Sequence, residues 1–154
     1  MAITGGCLCG AVRYRIEAEP VVTRICWCRA CQFTGGGSAT VNAIFKTEDV
    51  RIEGALADFA SQADSGNTMH RRFCPSCGTP VTIQSDTRPQ YLGVRAGTMD
   101  DPDSVWPNMT IWTSAAPRWA SFDARNARYE RQPPPPAAAP TSARIRPLRR
   151  GVAR

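Results

Sequence analysis

At 154 residues the chain suits one domain, long enough to bury a core. The N-terminal segment has no basic start followed by an apolar run, and no stretch nears the roughly 20 apolar residues that cross a bilayer, so neither a signal peptide nor a membrane span is expected. The formal net charge of +6 is uneven: five arginines and no acid lie between residues 132 and 154, which leaves +1 for residues 1–131 and argues against a large phosphate-binding face on the body.

Taken in chain order, the body reads as strand. "AVRYRIE" (11–17) sets Val12, Tyr14 and Ile16 against Arg13, Arg15 and Glu17, the period of a half-buried strand. "ATVNAIF" (39–45), "VRIEG" (50–54), "FAS" (59–61), "MHRRF" (69–73), "PVTIQ" (80–84), "YLGVRAG" (91–97) and "MTIWT" (109–113) continue it, with Gly, Pro, Asp and Ser between them. Short helical turns are expected after Cys31 and near "DDPDS" (100–104). "TGGGS" (34–38) lacks the full phosphate-loop pattern and reads as a flexible turn. The expected fold is all-β, built from several short antiparallel sheets, over residues 1–131. From residue 132 "QPPPPAAAPTSARIRPLRRGVAR" has too few large apolar residues to offset its ordering entropy, so a disordered tail is expected. A solvated extension is preferred for it over a nucleic-acid contact.

The seven cysteines give an odd count, which argues against a complete disulfide framework. With no export signal the expected compartment is cytoplasmic, where thiols stay reduced and clustered cysteines bind metal more often than they pair. They fall into three groups: Cys7 and Cys9 in C-x-C, Cys26, Cys28 and Cys31 in C-x-C-x-x-C, and Cys74 and Cys77 in C-x-x-C. Tetrahedral zinc at a Zn–S distance of about 2.3 Å sets sulfurs roughly 3.8 Å apart. A C-x-x-C turn meets that spacing, and Gly78 can take the positive φ such a knuckle needs. A C-x-C pair on an extended segment would turn both thiols to one face. Seven then divides as four plus three. Cys7, Cys9, Cys74 and Cys77 would form a closed, structural site. Cys26, Cys28 and Cys31 would leave a coordination position open, as catalytic zinc does.

Plainer readings stand beside these. Isolated cysteines are often small core residues, and C-x-x-C pairs can be redox-active. His70 reads as a packing or surface residue rather than a ligand. Trp106, Trp112 and Trp119 read as core or pocket walls, and Trp27, between two candidate ligands, could line the open site.

"GGCLCGAVRY", "CWCRACQFTGG", "FCPSCGTP" and "AGTMDDPDSVWPNMTIW…APRW" resemble, in order and spacing, the glutathione-dependent formaldehyde-activating enzyme (GFA) family, which also includes centromere protein V; the resemblance spans about residues 5–131. It implies a zinc-containing set of β-sheets, the β-tent. It also implies two zinc ions per chain: a structural one on Cys7, Cys9, Cys74 and Cys77 and a catalytic one on Cys26, Cys28 and Cys31. Trp27 and Thr110 stand where relatives often carry His.

The activity implied is that of a carbon–sulfur lyase. A thiol such as glutathione would take the open zinc position as thiolate and exchange with formaldehyde or another small aldehyde through an S-hydroxyalkyl adduct. A free thiol is already a few per cent ionised at pH 7, so full ionisation adds only about 30-fold; holding thiol and aldehyde together must supply more. Arg29, Arg71, Arg72 and Arg95 could meet glutathione's carboxylates, with solvated arginines as the plain alternative. The competing readings are a non-catalytic zinc scaffold and, less favoured, nucleic-acid binding through the basic tail.

Overall fold

The alternation around Tyr14 becomes β2 (Arg13–Ile16), with Tyr14 and Ile16 buried and Arg13 and Arg15 exposed. Its neighbours are β1 (Ile3–Gly6) and β5 (Val50–Glu53), both antiparallel to it, and the three make a small sheet. These observations come from a computed structural model that describes residues 2–133. Apart from Gln132 and Pro133, the expected disordered tail lies outside the described residues.

The second sheet has eight strands. Its members are β3 (Val22–Cys26), β4 (Thr40–Lys46), β6 (Ala57–Gln62), β7 (Thr68–Phe73), β8 (Pro80–Ser85), β9 (Tyr91–Arg95), β10 (Met109–Ile111) and β11 (Ala127–Arg128), in the order β11-β10-β3-β4-β9-β8-β7-β6. The fold is therefore all-β. One helix is α1 (Arg29–Thr34), which starts before Cys31 and carries it, rather than following it. A 3-10 turn at Pro102–Ser104 falls in "DDPDS", where Asp101 accepts from the Asp103 amide.

One edge departs from the antiparallel expectation. β10 pairs in parallel with β3 on one side and with β11 on the other. Parallel strands need a long crossover, and here residues 27–108 separate β3 from β10. No local pattern announces such a pairing.

The main core lies between the sheets. Val12, Ile16, Phe45, Val81 and Val94 are fully buried there, together with Ala43 and Cys74. A second, smaller cluster joins Cys26, Cys28 and Cys31 to Ile111, with Met109, Trp112 and Tyr129 packed against it. Among the described residues no helix is long and apolar enough to cross a membrane.

Candidate metal centre

Two tight turns build the first cysteine group. The Cys7 amide donates to the Val12 carbonyl at 3.0 Å and the Gly10 amide to the Cys7 carbonyl at 3.1 Å. The Cys74 amide donates to Thr79 at 3.0 Å and the Gly78 amide to Cys74 at 2.9 Å. The two turns are thus near copies, and both end on a glycine with positive φ: +80° at Gly10 and +72° at Gly78. A side chain is strained in that region. The C-x-C pair therefore sits in a turn, not on the extended segment expected from its alternation. The hydrogen bond closing residues 7–12 bends the chain there.

These turns bring Cys7, Cys9, Cys74 and Cys77 together, all four sulfurs within 4.8 Å of one another. Cys7 and Cys9 Sγ are 3.5 Å apart, and Cys9 and Cys74 Sγ 3.7 Å, the spacing expected around a tetrahedral zinc. The surroundings favour thiolate at Cys7 and Cys77, while at Cys9 the lowering by the Ala11 backbone is outweighed by hydrogen bonds to Cys7 and Cys77, which push that thiol up to about 12. The Val12 amide donates to Cys7 Sγ at 3.2 Å. The Thr79 hydroxyl lies 3.1 Å from Cys77 Sγ and, with backbone amides, brings that thiol down to about 5. Thr79 also accepts from the Leu8 amide at 3.2 Å, which ties the two turns together.

The second group is set by a strand end and a helix start. Cys26 closes β3, Cys28 caps α1 with extended backbone (φ −58°, ψ 155°), and Cys31 lies in the helix. All three are buried, and their sulfurs lie within 4.8 Å of one another. No fourth His, Cys, Asp or Glu joins them among the described residues. Hydrogen bonds to Cys28 and Cys31, with burial, push the Cys26 thiol up. Cys31 is held down to about 2, chiefly by the Cys26 and Cys28 thiols donating to it; Thr40 and the charge of Arg95 add to the lowering. A cation would replace this sharing of protons with charge. Both groups can therefore hold a metal ion.

The walls of the second group differ from expectation. The Trp27 ring packs edge-on against Trp119 and Phe122, at 6.0 and 6.2 Å between centroids. Trp106 and Trp119 are exposed rather than core. Trp112 does pack on the three cysteines, and its φ of +60° is the only positive value on a non-glycine among the described residues. Strain of that kind gathers at functional sites. Gln32 fastens the loop from below, its side-chain amide donating to the carbonyls of Trp27 at 2.7 Å and Ala115 at 2.9 Å. The composition of the segment gave no sign of Gln32 or Arg24. Burial lowers the pKa of the Arg24 guanidinium, which feels the three thiols as opposing charges.

His70 stands apart from both groups. Its ring nitrogens contact Asp58 at 2.5 Å and Asp86 at 2.7 Å. Of the four arginines singled out, Arg29 is exposed over the Phe33 ring, and Arg72 donates to Gln84. Arg71 and Arg95 are buried, contrary to the solvated reading; each has side-chain acceptors inside the sheet.

An all-β fold with one four-thiol and one three-thiol cluster defines a class of cysteine-rich, metal-competent proteins. The chain belongs to the glutathione-dependent formaldehyde-activating enzyme family, whose model matches residues 2–115. It is 27% identical over 131 residues to a Halomonas elongata protein named as a candidate glutathione-dependent formaldehyde-activating enzyme, covering 81% of this chain and 83% of that one. The crystal structure of a Rhodobacter sphaeroides protein superposes with a TM-score of 0.52 at 25% identity, covering 63% of this chain and 87% of the other.

Proposed function

We propose that the protein is a zinc-dependent carbon–sulfur lyase acting on adducts of a thiol, glutathione or one like it, with formaldehyde or another small aldehyde. The observation that carries this reading is the three-sulfur cluster, which no fourth His, Cys, Asp or Glu joins among the described residues, in a chain of this family. Cys26, Cys28 and Cys31 are the ligands of the catalytic zinc, and Cys7, Cys9, Cys74 and Cys77 those of a structural one. Bound there, zinc supplies a Lewis acid that keeps an incoming thiol ionised.

The chain's own contribution is position. The strand end at Cys26 and the cap at Cys28 fix where the sulfurs stand, and the position that no fourth His, Cys, Asp or Glu of the described residues takes is the one the substrate thiol would use. Packing of Ile111, Met109 and Trp112 on the cluster limits water around the sulfurs and so favours the thiolate's attack on a carbonyl carbon over competing hydration. The carbonyl oxygen takes the proton that the thiol gave up, and the reverse step returns it. Effective molarity is the larger part of the acceleration.

The test is rate-based, because the uncatalysed addition is itself feasible. Exchange between glutathione plus formaldehyde and S-hydroxymethylglutathione, followed by NMR exchange spectroscopy, is expected to be faster with wild type than with Cys28→Ser. Equal rates for the two proteins across a panel of thiols and aldehydes would show that the domain is a scaffold instead.

A further inference from the structure

Arg95 is one of two buried arginines among the described residues. It ends β9 and is only 6% exposed. Its Nη1 donates to Asn42 Oδ1 at 2.8 Å and its Nη2 reaches Thr34 Oγ1 at 3.4 Å, while Nε has no partner. Among the described residues no carboxylate pairs with it. Neutral amide and hydroxyl groups meet its hydrogen bonds; its charge acts on the Cys31 thiol without a hydrogen bond to it, whereas buried charges are normally both paired and hydrogen-bonded.

Arg95 also faces space. It lines a cleft of about 270 Å³ whose polar side chains are those of Thr34, Thr40, Thr79 and Thr98, with Gly97 and the apolar Val41 and Pro80 completing the wall. Its four hydroxyls and one guanidinium, with no acid among them, suit an anion, while Val41 and Pro80 offer a methylene stem an apolar side. One end abuts the three cysteines: Thr34 Oγ1 donates to the Cys31 carbonyl at 3.2 Å, and Thr40 pairs with Cys26 in the β3–β4 ladder. The other end reaches Thr79, in the turn that carries Cys77. Gly97 leaves room there, since a Cβ at that position would meet nothing within 4 Å.

We infer that this cleft is the carboxylate subsite of the thiol substrate, with Arg95 as its cation, so that the preferred thiol is one bearing a carboxylate. The inference rests on reading the three-cysteine cluster as the reaction centre. Guanidinium and carboxylate form short, charge-assisted bonds, stronger than those Arg95 makes to Asn42 and Thr34. A carboxylate held there ties its thiol beside Cys26 and Cys31, which is the positioning the reaction needs. An uncharged thiol lacks that tether.

S-Methylglutathione, whose capped sulfur cannot react, tests the subsite apart from catalysis. Its affinity for the metal-loaded full-length protein, measured by calorimetry or NMR titration, is compared with that of its diethyl ester. Wild type is expected to bind the acid about 10- to 100-fold more tightly than the ester, as one charge-assisted pair allows. Arg95→Gln should remove that preference. Gly97→Leu should weaken binding of the acid while leaving the melting temperature and metal content in place; it keeps the test open if Arg95→Gln does not fold. Equal binding of acid and ester by wild type, no saturable binding of either, or wild-type affinity in both variants overturns the subsite. Thiol–aldehyde exchange that is accelerated without a carboxylate preference would remove this inference alone. Carboxylate binding without accelerated exchange would remove the lyase reading alone.

Discussion

Replacing Cys74 and replacing Cys28 should have opposite consequences for the fold. Cys74 is fully buried in the main core with Val12, Val81 and Val94. Its partners Cys7 and Cys9 lie far away in sequence, Cys9 being 65 positions before Cys74. Closing such a loop costs about 4 kcal/mol, and a structural zinc typically contributes about 10–16 kcal/mol, so a metal there outweighs the closure. Cys74→Ser is therefore expected to lose most folded protein, seen as a collapsed melting transition and aggregation. Cys28→Ser, in a cluster that closes a local turn, should lose one of two metal ions by elemental analysis and keep a cooperative transition. A fully stable Cys74→Ser protein would count against a structural metal at that site. The grouping of the thiols was readable from spacing because C-x-x-C and C-x-C limit where sulfurs can reach. Gly78 was readable for the same reason. Arg95 was not, because nothing local distinguishes a buried arginine from a solvated one in "YLGVRAG"; its burial comes from β4 and the helix-loop packing over it.

At the scale of elements, the wing formed by β6, β7 and β8 carries a charge device that can be titrated. His70 on β7 sits between Asp58 on β6 and Asp86 just past β8, and its cross-strand partners Ala60 and Gln84 are uncharged. The hydrogen bond to Asp58, and then that to Asp86, raises the histidine above its usual 6.5. A raised folded-state pKa means that protonated His70 stabilises the fold. That contribution is whole below the unfolded pKa near 6.5 and is lost as pH rises through the folded value. His70→Gln is thus expected to melt below wild type at about pH 5.5, with the gap closing towards pH 9. A gap independent of pH would mean that the ring acts by packing alone. Strands were easiest to read where one face is buried, as in β2. β1 was missed because Gly5 and Gly6 look like a turn; yet a Cβ on Gly5 would sit 2.2 Å from the Tyr14 hydroxyl, so the strand needs glycine for close approach. β3 was missed because buried Thr23 and half-buried Arg24 hide its alternation.

For the whole molecule, the edge strand decides how much chain the second cysteine cluster needs. The family match ends at residue 115, but the described chain continues across the cluster. β11 pairs with β10, and the amides of Trp112, Thr113 and Ser114 donate to the carbonyls of Arg131, Tyr129 and Glu130 at 3.4, 3.1 and 3.3 Å. Tyr129 packs on the three cysteines beside Trp112. We propose, accordingly, that the domain runs to residue 131 and that its metal chemistry needs nothing beyond. Truncation after Gln132 removes five arginines and no acid, and it is expected to leave the melting temperature, metal content and exchange rate within error of the full chain. Truncation after Asn126 strips β11 and Tyr129 from the cluster. It should open the buried sulfurs to water and speed metal loss to a chelator by about tenfold or more, while the four-cysteine site holds its ion. Both outcomes are read in one experiment, by following zinc release to a chromogenic chelator from the three proteins side by side. Equal release from the shorter truncation and the full chain would show that residues 127–131 do not guard the cluster. A large fall in melting temperature after cutting at Gln132 would move the domain boundary into the arginine-rich segment, and salt-sensitive DNA binding lost with that cut would revive a nucleic-acid role for it.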